Sequence, residues 1–425
     1  MAHRRVWATS AVLLGLTTLA ATTTPSAAVP ESTRAAAPGS ARSVVVDWAR
    51  TTAETVDQKG SASEEVLWHA LVSVAVYNAV VGVEGRYEPY RWRERAPRPA
   101  SAVAAAATAA HDILRHAFPQ AAGKLAKAHT ASLAKVPDGP AEDAGVAFGH
   151  RAARHVIDLR AGDGFGTKVD FPHAPGTGVW RPTPPAHEPF ASAWLGRLRP
   201  LLMDRPEQFR PGPPPALTSA RYAAELEEVK TFGSKTGSRR TPAQTSTALF
   251  FTKLDLQGAL ADRAARRRLD LVDTARLYAA VNTVQADTVI AAWDAKLRYG
   301  SWRPVTALHE AANDGNPRTE PAPGWQPLLE TPAHPDYLSG HAATAGALTR
   351  TLTLLSGSPR LDLRITSIVA KATRTYTHAR DYDRDAIDAR VWAGIHTRTA
   401  DVVANATGRQ VAAWALGRYF RPVRG

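Results

Sequence analysis

Three short stretches carry residue types suited to holding an oxyanion. Lys296 and Arg303 lie seven residues apart, nearly two helical turns, so both can point the same way. Ser339, Gly340 and His341 open a run with helical spacing, "SGHAATAGALTRTLTLL". The first N–H groups of a helix lack intrahelical partners and attract anions. Ser339 can cap or donate there, Gly340 lets a ligand approach the backbone, and His341 can move a proton near neutral pH. In the third stretch, "DARVWAGIHTRTAD", Arg390 offers a forked donor and His396 a metal ligand or nucleophile. Taken singly, each stretch has a bland explanation: a solvated basic face, an ordinary helix cap, a core histidine. Taken together, three cations, a helix N-terminus and two histidines describe a site for a tetrahedral oxyanion with an acid/base beside it.

Helices must position these groups. The spacing predicts helices at "SVVVDWARTTAETV", "SEEVLWHALVSVAVYNAVVGV", "PASAVAAAATAAHDILRHAF", "PQAAGKLAKAHTASLAKV" and "PAEDAGVAFGHRAARHVIDL". Ser63 with Glu64 and Glu65 reads as an N-cap and acidic first turn. From Ala161 to Thr218 the pattern gives way to Gly and Pro, a loop of functional length. Trp180, Phe190, Trp194 and Phe209 imply that it is packed down, over a site or in an oligomer contact. Helices resume near Ser219. The longest is "LVDTARLYAAVNTVQADTVIAAWDAKLRYG", which Gly300 and Pro304 end or bend, leaving Arg303 on a loop. Further helices are expected at 338–357, at "LRITSIVAKATRTYTHARDY", at 384–396 and at 399–420.

The pattern K-x6-R-P, S-G-H and R-x5-H resembles the signature shared by vanadium-dependent haloperoxidases and type 2 acid phosphatases, here Lys296–Arg303–Pro304, Ser339–Gly340–His341 and Arg390–His396. "VYNAVVGVEGRYEPY", "AAHDILRHAFP" and "WRPTPPAHEPFASAWLGRLRPLLM" are similar to the bacterial haloperoxidase-like branch, so the resemblance covers most of the chain. It implies an all-α fold of helical bundles with vanadate as cofactor, at a site that phosphate can also occupy. It implies that His396 bonds to vanadium, that Lys296, Arg303 and Arg390 neutralise the vanadate oxygens, and that Ser339 and the Gly340 N–H hydrogen-bond them. Lys296 would also polarise bound peroxide, and His341 would take a proton from hydrogen peroxide. Halide would then be oxidised to a hypohalous species that reacts with a small organic acceptor.

Trp293, one turn before Lys296, matches a site-lining Trp of chloroperoxidase-like members. His334 matches a His of bromoperoxidase-like members where others carry Phe, and the mixture favours bromide over chloride. The phosphatase pattern places Asp four residues after the last His. Ala400 stands there, with Asp401 one later, about 100° further round a helix. Ala389 replaces the phosphatase-like Ser before Arg390. Two alternatives stay open: an acid phosphatase working through a phosphohistidine at His396, and a non-catalytic oxyanion-binding exported protein.

Composition narrows the classes. Of 425 residues 44% are hydrophobic and 21% charged, as in globular proteins, and there is no cysteine, which excludes thiol chemistry and cysteine-held metals. The formal charge of +13 comes from dispersed Arg, without a basic stripe and aromatic platforms, so no nucleic-acid partner is expected. "MAHRRVWATSAVLLGLTTLAATTTPSAA" reads as an export signal, Sec or Tat, over 1–28, which implies secretion. A linker at 29–40 and an all-α domain at 41–425 follow, with the active-site half at about 219–425. Outside the leader no stretch approaches about 18 uninterrupted apolar residues, so no membrane span is expected. "HEAAN" at His309 lacks the second His of a zinc protease, since Asn313 stands there.

Overall fold

The computed structural model describes residues 38–56 and 62–423; the expected export signal lies outside them. The first five helices are α1 (Pro38–Val56), α2 (Ala62–Glu84), α3 (Ala102–Ala117), α4 (Ala122–Leu133) and α5 (Pro140–Arg160). Helix α2 is apolar on every side and so must be enclosed. It packs against α1, α3, α5 and α9 (Leu271–Tyr299), with Val74, Tyr77, Val80 and Val81 fully buried. Ser63–Glu84 is apolar and long enough to cross a membrane, but most of it lies inside the protein.

The second half adds α6 (Ala220–Gly233), α7 (Pro242–Phe250), α8 (Leu256–Arg266), the long α9, α10 (Pro304–His309), α11 (Gly340–Ser356), α12 (Ala379–Trp392) and α13 (Arg398–Leu416). Asp270 caps α9 by accepting from the Asp273 N–H, and Gly300, at φ +55°, closes it. Between these ends α9 is buried almost continuously from Leu271 to Leu297, so it forms the axis of the molecule. Helices α11 and α13 touch backbone to backbone. A Cβ on Gly346 would collide with the Asn405 carbonyl, and one on Gly408 with the Ala343 carbonyl. That close crossing fixes where the N-terminus of α11 points.

One expected helix is a hairpin instead. Residues 360–378 form β1 (Arg360–Ser367) and β2 (Ala372–His378), paired antiparallel. In β1 Leu361, Leu363, Ile365 and Ser367 are buried while alternate residues are not, a period of two that overrides the helical reading. Pairing of Leu254 with Ser367 ties the hairpin to the loop before α8.

The Pro/Gly-rich stretch 161–218 contains only short 3₁₀ turns, and α9 staples it down. The buried Asp287 carboxylate accepts three backbone N–H groups, from Leu201 (2.7 Å), Leu202 (2.8 Å) and Met203 (2.6 Å). Asp294 holds Arg210 through two bonds of 2.7 and 2.6 Å. The Trp293 indole N–H donates to the Ala191 carbonyl (3.1 Å). Replacing Asp287 with Ala strands three buried donors, at about 1–3 kcal/mol apiece before relaxation. A loss of roughly 3–5 kcal/mol in urea unfolding is therefore expected, together with faster protease cleavage within 161–218. Unchanged stability and cleavage would show that the stretch is held by other contacts.

Candidate active site

The last turn of α9 carries Lys296 into the interior with no exposed surface. Its Nζ donates to the carbonyls of Pro335 (2.5 Å) and Asp336 (3.1 Å) and sits 5.5 Å from the centre of the Trp293 ring. After the Gly300 turn, Arg303 occupies the N-cap of α10, also fully buried. Its guanidinium donates to the carbonyls of His334 (2.6 Å), Ile395 (2.6 Å) and Pro332 (3.1 Å). The two cations thus clamp the 332–336 segment that leads into α11.

His396 lies in the short link between α12 and α13, with the Arg303 Nη1 3.2 Å from its Nε2. Its Nδ1 is 2.6 Å from the Asp336 Oδ1, and Asp336 in turn accepts from the Thr397 hydroxyl (2.7 Å). A carboxylate can only accept, so Nδ1 carries the proton and Nε2 keeps its lone pair. Burial, followed by the charges of Arg303, Lys296 and Arg390, holds this imidazole well below the ordinary histidine range. The result is a neutral ring with one oriented, unprotonated nitrogen.

Arg390, in the last turn of α12, is buried, and its one recorded bond is a long 3.5 Å contact to the Phe251 carbonyl. Its Nε has no partner. A buried donor left unmade costs about 1–3 kcal/mol, a cost that a bound anion would remove. Ser339 is fully buried and caps α11, accepting from Ala342 N at 3.4 Å. A Cβ on Gly340 would lie 3.1 Å from the Trp293 ring, so the glycine lets the helix start sit against the indole.

His341 is exposed and faces a cavity of about 620 Å³. The Arg390 charge, then burial, pushes it down to about 3. Trp293 and His334 line the same cavity, their ring centres 4.8 Å apart, and the His334 Nδ1 accepts from Arg303 (2.9 Å). Every site residue singled out from the sequence therefore lies in this region.

Asp401 does not orient His396; Asp336 does. Asp401 is fully buried in α13, and neither carboxyl oxygen makes a well-formed hydrogen bond. Burial pushes its pKa far up, against the opposing pull of the nearby Ser339 hydroxyl. Sequence reasoning passed over Asp336, the acidic residue of "HPDYLSGH", because no fixed spacing links it to His396 and a carboxylate inside an oxyanion motif looks out of place.

Charge does not balance in this region. Burial lowers Arg303 and Arg390 to about 10, so both carry protons at neutral pH, and it lowers Lys296 well below its usual value. Opposite them stand Asp336, raised to about 6, and Asp401, which burial pushes up. An uncompensated cluster of buried cations costs several kcal/mol, which an anion of matching shape relieves. The donor set, with its orphaned Arg390 Nε, fits a tetrahedral oxyanion.

Residues 276–425 match the family model of the VCPO second helical-bundle domain. The chain superposes on a bacterial vanadium-dependent iodoperoxidase with a TM-score of 0.75, covering 93% of this chain and 99% of that one at 21% identity. The holo-type and apo-type structures of a bacterial vanadium-dependent chloroperoxidase give TM-scores of 0.67 and 0.68 at 19% and 18% identity. Each covers 84% of this chain, and 92% and 93% of its own length. The chain has the vanadium haloperoxidase fold. No significant relative is found among curated proteins.

In this haloperoxidase fold the perturbed histidines predict an acid response. His69 and His129 are lowered to about 4 and His341 to about 3, while His155, His334 and His396 are also lowered. Each such group binds protons more readily when unfolded, so its contribution to stability is lost as pH falls below about 6.5. Asp287 and Asp336, raised to about 6, with Asp383 and Asp401, act in the opposite sense over part of that interval. The histidines outnumber them. The melting temperature of the anion-free protein should therefore fall between about pH 6.5 and 4.5, and phosphate should restore part of the loss. A flat or rising melting temperature would contradict the assigned charge states.

Proposed function

We propose that the protein is a vanadate-dependent haloperoxidase that oxidises halide with hydrogen peroxide, bromide in preference to chloride, and passes the halogen to a small organic acceptor. The observation that carries this reading is the His396 Nε2: unprotonated, aimed by Asp336, and set among three buried cations. Vanadate held there would supply a Lewis acid that makes peroxide electrophilic. His396 would bind the vanadium. Lys296, Arg303 and Arg390 would neutralise the oxygens, and Ser339 and the Gly340 N–H would hydrogen-bond them. His341, neutral and open to the cavity, is placed to take a proton from incoming peroxide. Trp293 and His334 shape the wall that the halide meets. Export through the leader at 1–28 belongs to the same proposal.

One observation favours a second reading, a phosphomonoesterase. The Asp336–His396 pair supplies the oriented nucleophile that Ala400 had called into question. An assay separates the two. Bromination of a dye by purified protein with bromide and peroxide should depend on added vanadate. Turnover of p-nitrophenyl phosphate, inhibited by vanadate, would favour the phosphatase instead. His341→Ala should keep vanadate bound but lose about 10²–10⁴-fold in turnover. Full activity in that variant would remove His341 from the reaction.

A further inference from the structure

Asp401 has no part in the chemistry above, yet it is fully buried beside the site. Both of its carboxyl oxygens lack a hydrogen-bond partner. It stands in the first turn of α13, where an acidic side chain ordinarily serves its own helix N-terminus. That duty is taken by others. The Thr397 N–H donates to Asp336 (3.4 Å) and the Thr399 N–H to Glu225 of α6 (3.0 Å). The same turn is locked from outside by Arg398 on Glu228 and Asp388, and by the Thr399 hydroxyl on Glu225. A buried carboxyl without a bond is costly, so its presence there needs another reason.

Its neighbours supply one. The Ser339 N–H donates to the Ala400 carbonyl (3.1 Å), which sets the N-cap of α11 against the residue before Asp401. The glycine crossings of α11 and α13 hold that approach, and Asn405 adds a bond to the Ala342 carbonyl (3.3 Å). The Ser339 hydroxyl is close enough to pull the Asp401 pKa down against burial, and Asp401 in turn acts on the charges of Lys296, Arg303 and Arg390. Neither of its oxygens bonds to any of the three.

A hydroxyl has one hydrogen and two lone pairs. One lone pair of Ser339 takes the Ala342 N–H, at a long 3.4 Å. An ionised Asp401 would claim the hydrogen, leaving none for an oxyanion and setting a like charge behind it. A carboxylic acid donates to the second lone pair instead and leaves the hydrogen free. Burial of Asp401 favours that protonated form.

We propose that Asp401 is a positioning residue for the oxyanion: its carboxyl O–H donates to the Ser339 Oγ and turns the Ser339 O–H toward the anion. Two bonds in series polarise one another, so each is stronger than alone. This role needs the oxyanion reading of the site, whichever reaction follows there.

The test is calorimetric titration with inorganic phosphate of wild type, Asp401→Asn and Asp401→Leu, each also combined with Ser339→Ala, with folding checked by melting curves. The Asn variant keeps a donor and should bind phosphate within about threefold of wild type. The Leu variant fills the space without a donor and should bind about tenfold more weakly. If it does not fold, Asp401→Ala takes its place. Ser339→Ala should cost about tenfold or more in wild type and in the Asn variant, but about threefold or less in the Leu variant. Tighter phosphate binding in both the Asn and Leu variants would make Asp401 a repelling charge and overturn the role. An equal cost of Ser339→Ala in all backgrounds would overturn it too. Absence of phosphate binding to wild type overturns the oxyanion reading itself. The expected cycle in a protein without vanadate-dependent bromination sustains the role of Asp401 and overturns only the haloperoxidase reading.

Discussion

Replacing His396 with alanine should leave a folded protein that holds vanadate no more tightly than phosphate. The side chain contributes the bond from its Nε2 to the metal, a coordinate bond that free phosphate does not form, and little of the scaffold depends on it. Arg303 keeps its bonds to the carbonyls of Pro332, His334 and Ile395, and Asp336 keeps the Thr397 hydroxyl. The three cations remain to attract either anion. Vanadate affinity should therefore fall by more than about 100-fold, beyond what loss of an outer-shell partner costs, while phosphate affinity changes little. Haloperoxidase turnover should vanish with it. Parallel titrations with the two anions check this; retention of full vanadate affinity would show that the metal-ligand assignment is wrong.

Asp336→Asn should produce a weaker version of the same selectivity change, and for a different reason. The carboxylate fixes the His396 tautomer through a 2.6 Å bond, which makes the Nε2 more basic and keeps it aimed. An amide can present either a donor or an acceptor to Nδ1, so the lone pair is no longer guaranteed to sit at Nε2. Vanadate affinity should drop about 10–100-fold. Removing a negative charge from the edge of the site acts the other way on any bound anion, so phosphate should bind at least as tightly as before. Opposite responses of the two anions are the signature of a positioning residue. A parallel fall in both would mean that Asp336 merely holds the fold together.

The chemistry-bearing residues were legible in the sequence because their types are improbable in a core. A buried Lys, two buried Arg and a buried His must share a reason for being there, and the structure places Lys296, Arg303, Arg390 and His396 all inside. The boundaries of α9 and α11 were legible from Gly300 and from the Ser339 cap. Asp336 was not, because its link to His396 spans 60 residues and follows no period. The anchors of the 161–218 stretch were hidden for a related reason. Asp287 and Asp294 read as ordinary polar positions of a helix until the stretch folds onto them. The hairpin at 360–378 was misread because Arg, Thr and Ala dominate it, while its alternation of Leu361, Leu363 and Ile365 extends over only one strand. That error matters, since the turn after β1 supplies Ile368 to the mouth of the cavity.

Distant segments of the chain must meet to hold one tetrahedral oxyanion through a metal–imidazole bond. Calorimetric titration of the purified wild-type chain with orthovanadate, repeated in the presence of saturating phosphate, tests that most directly. One vanadate per chain, bound more tightly than phosphate and displaced by it, is the result expected. Absence of binding, or vanadate binding that phosphate does not affect, would contradict it.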